Sequence, residues 1–343
     1  MKKLLIFVSM FLIVMFYSCE KENSTYKKIL PSDVSGGFNR GNFLTYGNKV
    51  AYYQSDSNKI FPNIYEYINE SELEYDITFV TKNYHIAFFN DNNITLTHGN
   101  SLLFKKTVHN IVKPVKVFHS DWSRLYILGG ESGNEINIVN ASDFSVIKKI
   151  GIEKKPDDVK IEPYFIYLAS TGSHEYNDST VLILNSNTWE TESEVVVGYR
   201  PIRIIQNNGT QLYVLCQGRT ALDQYGQFKS LTESKIYCYD LIIDRIIDSV
   251  TIGSMQDSFL PVKYLDDVLI EADGIYKVDF FESLSVKKII SGNFTDIVKD
   301  ERIYGDYLCL KTSDQASTIY QLDIYNEVFI DSLTVDYKID AIY

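Results

Sequence analysis

Apolar and polar positions alternate along this chain with a period of two. Ile136-Asn137-Ile138 and Ile319-Tyr320-Gln321-Leu322 are examples, and the pattern predicts strands, not helices. The strands come in repeated groups. One group reads Leu125 to Leu128, Ile136 to Asn140, then Val146 to Gly151 and Pro156. It returns as Phe165 to Ala169, Val181 to Asn185, Val195 to Gly198 and Pro201. It returns again as Leu212 to Leu215, Ile236 to Asp240, Ile246 to Gly253 and Pro261. A period of roughly 40–45 residues with several strands per unit predicts an all-β fold, a β-propeller of four-stranded blades.

Two columns of residues measure the period. Asn140, Asn185, Asp240, Asp279 and Asp323 each follow an apolar run, at separations of 45, 55, 39 and 44 residues. An Asn or Asp there hydrogen-bonds its own backbone two residues on, which sets a tight turn between the third and fourth strands. Pro114, Pro156, Pro201 and Pro261 stand where each new innermost strand begins, a position that need not donate to the ladder. The longest separation carries an insertion, Gln217 to Ser234, rich in Gly, Gln, Ser and Thr.

Fainter copies extend both ways. Ile77 to Val80, His85 to Phe89, Ile94 to Thr97 and Leu102 to Val108 make one unit. Val50 to Tyr53 with Asn63 to Tyr67 make a poorer one before it. Val268 to Ile270, Ile275 to Val278 and Val286 to Ile290 make another. Ile303 to Leu310, Ile319 to Leu322 and Phe329 to Val335 make the last. The count is seven, with six or eight as alternatives because the first two units are the least regular. Lys338 to Tyr343 reads as an innermost strand with no blade after it. A ring of sheets must hide its edges, so this segment is expected to close onto the N-terminal blade.

Residues 1–18 are a targeting segment, with Lys2-Lys3 before an apolar run, Leu4 to Tyr17, that is too short for a normal membrane span. Cys19 follows directly and resembles the acylated first residue of a lipoprotein. A secreted protein cut nearby is the alternative. Residues 19–33 then form a lipid-anchored polar tether and residues 34–343 the propeller. Glu20-Lys21-Glu22 resembles the acidic tag that sends Bacteroidota lipoproteins to the cell surface. A net charge of −12, with two lysines in the segment expected to be removed, excludes the basic stripe that a nucleic-acid partner needs.

Cys216, Cys238 and Cys309 remain, an odd number that argues against a disulfide framework. If Cys216 faces residue 236, Cys238 faces residue 214. The pair is then not squarely opposed, and buried thiols are the preferred reading over a disulfide. The five histidines fall in different units, and no HExxH, paired CxxC, GxSxG or phosphate loop is present. No enzymatic activity, cofactor or metal is therefore expected. His119 ends an innermost strand, where a structural role is the simpler reading. His174-Glu175-Tyr176-Asn177-Asp178 has metal-capable side chains, yet without a second cluster a solvated loop is the simpler reading.

Propellers bind ligands on the face that carries the loops entering each innermost strand and those joining second to third strands. The first set offers Tyr199, Arg200, Phe259, Phe294 and Tyr337. The second offers His174, Tyr176 and, from the insertion, Arg219, Tyr225 and Phe228. Aromatic rings with Arg are the usual anchors of a recognition surface.

Gly41-Asn42-Phe43 is similar to the opening of a Bacteroidota family of YncE-like propeller lipoproteins. Leu212 to Cys216, the polar insertion, and Lys235 to Asp240 resemble one of its blades. The family is seven-bladed and surface-exposed, and some members partner a TonB-dependent outer-membrane transporter, among them cobalamin-capturing lipoproteins. The resemblance implies capture of a scarce nutrient, a corrinoid being the specific expectation. The alternatives are an envelope interaction scaffold and a propeller lyase that uses His174 or His119.

Overall fold

The computed structural model describes residues 41–54, 57–73, 77–78, 85–89, 93–98, 102, 104–109, 111–119, 123–172, 177–207, 210–226, 228–252, 263–265, 268–271, 274–280, 283–299, 306–312 and 315–342. The expected targeting segment and tether, Cys19 included, lie outside them. Among the described residues, strands assemble into seven four-stranded antiparallel sheets and one separate two-stranded hairpin.

Sheet I is built from both ends of the chain. Ala341–Ile342 takes the first position, followed by Asn42–Tyr46, Lys49–Gln54 and Lys59–Phe61. Sheet II holds Ile77–Thr78, His85–Phe89, Asn93–His98 and Phe104–His109. Sheet III holds Lys116–His119, Arg124–Gly129, Glu135–Asn140 and Val146–Gly151. Sheet IV holds Asp158–Ile161, Phe165–Ala169, Thr180–Asn185 and Thr191–Val196. Sheet V holds Pro201–Asn207, Gln211–Cys216, Ser234–Asp240 and Arg245–Ile252. Sheet VI holds Lys263–Leu265, Val268–Glu271, Gly274–Asp279 and Ser285–Ser291. Sheet VII holds Asp296–Lys299, Asp306–Thr312, Ser317–Asp323 and Val328–Val335.

The sheets stack on one another because both faces of their middle strands are apolar. In Gln211–Cys216, Leu212, Val214 and Cys216 join Tyr167, Val181 and Ile183 of sheet IV, while Tyr213 and Leu215 join Tyr276 and Val278 of sheet VI. Successive Cβ atoms point to opposite faces of a strand, so one run serves two neighbours. The same sharing links II with III, III with IV and VI with VII. Sheet VII meets sheet I through Ile319, Ile339, Ile342, Leu44 and Tyr53. Each fully buried Leu or Ile contributes about 1.5–3 kcal/mol, so these shared interfaces are the core.

Four members of the Asx column do what their chemistry predicts. Asn140 Oδ1 accepts from the Ser142 amide at 2.8 Å and Asn185 Oδ1 from the Asn187 amide at 2.9 Å. Asp240 Oδ1 accepts from Ile242 at 2.8 Å and Asp323 Oδ1 from Tyr325 at 2.9 Å. Four residues after each Asx stands a left-handed residue, Phe144, Trp189, Asp244 and Glu327, with φ between 56° and 62°. The third strand then slips register against the fourth, between Ile138 and Val139 in sheet III and between Cys238 and Tyr239 in sheet V. Such a bulge sharpens the local twist.

At the inner strands the sheets are stapled. Asp158 opens the first strand of sheet IV, and its Oδ2 accepts the Ile204 amide of sheet V at 2.9 Å. Asp296 opens the first strand of sheet VII, and its Oδ2 accepts the Ile342 amide at 3.0 Å. Both partners lie 46 residues further on. A carboxylate bonded to the next inner strand satisfies a buried donor and fixes the spacing between sheets.

Two expectations need correction. Asn63 to Tyr67 is not a strand, since Ile64–Asn69 is a short helix burying Ile64, Tyr65 and Ile68. Those three positions share one helical face, a period of 3.6 hidden in a run too short to display it. The register of sheet V also differs from the one considered for its thiols, because Cys216 faces Lys235 and Cys238 faces Tyr213. Cys216, Cys238 and Cys309 are free and buried, and burial pushes the thiols of Cys216 and Cys309 well up from their ordinary range.

Candidate functional site

The insertion in sheet V folds into a hairpin, Thr220–Leu222 against Phe228–Ser230, between the second and third strands. Gly218 begins it with φ +88°, and a Cβ there would lie 2.5 Å from the Thr232 carbonyl. Only glycine takes this left-handed turn without a clash. The Arg219 amide donates to Thr232 Oγ1 at 2.7 Å and the Leu231 amide to the Arg219 carbonyl at 2.8 Å, which fixes the hairpin base.

The neighbouring sheet holds the hairpin in place. Asn177, from the loop between the second and third strands of sheet IV, reaches Thr220 with both ends of its amide. Its Nδ2 donates to the Thr220 carbonyl at 3.0 Å, and its Oδ1 accepts from the Thr220 amide and hydroxyl, each at 2.9 Å. From the entry to sheet V, the Tyr199 carbonyl accepts from the Gly218 amide at 3.1 Å and the Arg200 carbonyl from the Gln217 amide at 3.0 Å. Gly198, just before that entry, lies against the third strand of the same sheet. A Cβ on it would sit 2.0 Å from the Tyr237 ring.

The result is a rim where two of the expected residues meet and a third stands exposed on the same hairpin. The Arg219 guanidinium lies over the Tyr199 ring at 6.0 Å from its centroid. Tyr225, at the hairpin tip, is 80% exposed, and Tyr199 is 45% exposed. Cation–π stacking holds the guanidinium without consuming its hydrogen-bond donors, which stay available for an anionic or carbonyl-bearing ligand.

Other expected residues are spent on packing. Arg200 is 5% exposed in a left-handed conformation with φ 56°, and its side chain bonds Gln217 Oε1 at 3.4 Å and the Thr171 carbonyl at 3.5 Å. Burial lowers its pKa, as expected for a cation taken from water. Arg200 is a strut beneath the rim, not a contact on it. Phe294 packs edge-on against Tyr320 and tilts against Phe329. Tyr337 stacks on Tyr46 at 4.9 Å, and burial raises its hydroxyl pKa. His174, Tyr176 and Phe259 lie outside the described residues, and Phe228 is placed by its strand alone.

Two features escaped the sequence reading. Asn177 looked like part of a possible metal loop, yet its amide is the clamp. Asp158, Lys116 and Arg203 form a charged group at the inner strands, with Asp158 Oδ1 at 3.4 Å from Lys116 Nζ and 3.0 Å from Arg203. Burial lowers the Lys116 pKa, and the Asp158 carboxylate opposes that shift. The recurring Asp before a β-branched apolar residue (Asp158-Val159, Asp296-Ile297) was the available signal. Among the described residues, no group of three or more His, Cys, Asp or Glu is arranged to hold a metal ion. No helix of the described residues is long and apolar enough to cross a membrane.

No protein-family model matches the chain, and no curated protein matches it. Solved structures do. A quinoprotein alcohol dehydrogenase-like protein from Bacteroides thetaiotaomicron is similar with a TM-score of 0.65 at 12% identity, over 90% of this chain and 79% of that one. The dihydro-heme d1 dehydrogenase NirN aligns at TM-score 0.53 and 13% identity, over 92% and 77%. A computationally designed protein, Ika8, aligns at 0.53 and 8%, over 89% and 91%. At such identities the likeness is one of fold. The chain is a mostly β protein of propeller type.

Proposed function

We propose that this chain is a seven-bladed propeller, latched by Ala341–Ile342, that works as a non-enzymatic binding protein through the Tyr199, Arg219 and Tyr225 rim. One observation carries the reading. An 18-residue insertion, Gln217 to Ser234, is ordered by a neighbouring sheet through Asn177 and presents an arginine over an aromatic ring. Ordering loops in advance removes an entropic cost that a ligand would otherwise bear on binding. Tethered by a lipid on Cys19 at the outer surface, the propeller hands a nutrient, a corrinoid such as cobalamin, to a TonB-dependent transporter. The tether raises the local concentration of the captured ligand at the transporter.

Calorimetry of residues 20–343 with cyanocobalamin tests this. Saturable heat that weakens at least tenfold in Tyr199→Ala and Arg219→Ala supports it. No heat, and no transporter co-purified with the full chain, removes it. The interaction-scaffold reading draws on Leu222 and Leu231, which stand exposed beside Tyr225 on the hairpin and suit a protein partner better than a small polar ligand. Under that reading Tyr225→Ala weakens a pull-down of envelope proteins and leaves nutrient uptake intact. The lyase reading needs His174 or His119, and activity unchanged in a His174→Ala, His119→Ala double variant excludes them.

A further inference from the structure

Sheets III and IV part at their outer strands to leave a groove of about 420 Å³, within the range of specific ligand pockets. It involves none of Tyr199, Arg219 and Tyr225. Its lining is apolar in the middle, with Ile150, Ile152, Leu168, Leu182 and Leu184 all packed with the core shared by these two sheets. The ends differ in charge. At one end Glu153, Asp178 and Glu194 outnumber Lys154, whose Nζ sits 3.0 Å from Asp178 and 3.5 Å from Glu194. At the other stands Trp189, with Lys148 Nζ 4.7 Å and the Arg124 guanidinium 5.8 Å from its ring centroid. The Trp189 Nε1–H is buried and has no acceptor.

We propose that this groove binds an extended apolar peptide of about four residues in one direction, amino end at Glu153 and Glu194, carboxylate end at Trp189. The third strand of sheet IV measures it. Thr180 lines the acidic end and Leu184 the end near Trp189, four residues apart. At about 3.4 Å per residue that is roughly 14 Å, the length of four extended residues. A buried donor without a partner is a standing cost that a ligand oxygen removes. An excess of carboxylates draws an ammonium, and Lys148 and Arg124 draw a carboxylate. A fatty acid matches the apolar floor and the cationic end but leaves the acidic end with nothing to meet.

The probe is the tetrapeptide Val-Leu-Val-Leu with free termini, titrated into the full mature chain by calorimetry. Trp189→Phe keeps an aromatic side chain and removes the donor, and binding weakens about tenfold, the effect of one lost hydrogen bond. N-acetylation of the peptide weakens binding to the unaltered protein by a similar factor, a readout independent of whether any variant folds. Leu182→Trp, which fills the groove, abolishes binding while the circular dichroism spectrum is retained. No binding at millimolar peptide overturns the proposal. So does equal affinity for the acetylated peptide or for Trp189→Phe, and so does tighter binding of decanoate than of the peptide.

Discussion

The junction between sheets IV and V and the junction between sheets VII and I are built on the same device and finished differently. In both, an aspartate opening an inner strand accepts the amide 46 residues later, Ile204 in one and Ile342 in the other. At VII–I the additions are the pairing of the last strand with Asn42–Tyr46 and an exposed tie from Asn58 Nδ2 to Asp331 Oδ2 at 3.2 Å. At IV–V the stapling Asp158 also pairs with Arg203 of sheet V and with Lys116 of sheet III, and above it sits a hairpin clamped across the junction by Asn177. The inner strands thus carry the same staple at both junctions, and the rim at IV–V adds a clamped hairpin to it. Function is to be sought where two junctions of identical architecture diverge.

Cutting the chain after Tyr337 removes the device at VII–I altogether. It takes away Ile339 and Ile342, both fully buried, and the bonds from the Ile339 amide to Ser317 Oγ, from the Asp340 amide to the Thr45 carbonyl and from the Ile342 amide to Asp296. Burial alone puts the loss near 5 kcal/mol, comparable to a whole domain's stability. The truncated chain is expected to lose its cooperative urea transition. A transition with an unchanged midpoint would mean that the fold does not need its last strand.

Single substitutions separate the two staples. Asp158→Ala strands the Lys116 and Arg203 charges as well as the Ile204 amide, and removal of one partner of a buried charge group costs about 3–5 kcal/mol. Asp296→Ala at the other junction deprives the amides of Ile297 and Ile342, at about 1–3 kcal/mol each. Chemical denaturation of both variants should rank Asp158→Ala at or above Asp296→Ala. The reverse order would show that the cations at IV–V contribute nothing to holding the sheets. At the rim, Asn177→Ala should change global stability by about 1 kcal/mol or less while amide exchange across Thr220–Leu222 accelerates at least tenfold, since an exposed hairpin opens locally. Equal exchange in both proteins would mean that the hairpin stands unaided.

The architecture was legible because its signals are local. An Asx ending an apolar run makes its own turn, and Leu212 to Cys216 announces a strand buried on both faces whatever surrounds it. The candidate rim was legible only in its loop order. Tyr199, Arg219 and Tyr225 were placed from loop order, which the repeat supplies. Arg200 was placed with them from the same loop order, but in the structure its backbone is left-handed and its side chain is buried against Gln217 and Thr171, which loop order does not reveal. Asn177 carries a side chain whose role depends on Thr220, 43 residues away in the next sheet. The helix at Ile64 shows the opposite failure, a pattern of one turn and a half that alternation imitates.

The smallest expected effect concerns pH, and it too distinguishes the junctions. Tyr239, in the core shared by sheets IV and V, has its hydroxyl pKa pushed up to about 12 by burial and by its hydrogen bond to Asp244 Oδ1 at 2.5 Å, against an ordinary value of 10.0. The folded state therefore binds this proton more tightly than the unfolded state. Its contribution is complete below pH 10 and declines as pH rises from there toward 12. Cys216 packs in the same core and its thiol is raised in the same direction from 9.0, so the decline begins near pH 9. The core at VII–I contains no cysteine among its described members. Melting temperature should accordingly fall between pH 9 and 12, and a Cys216→Ala, Tyr239→Phe double variant, less stable at pH 7, should show a flatter profile over that window. A parallel profile in the two proteins would place the alkaline weakness elsewhere and deprive the IV–V core of its distinction.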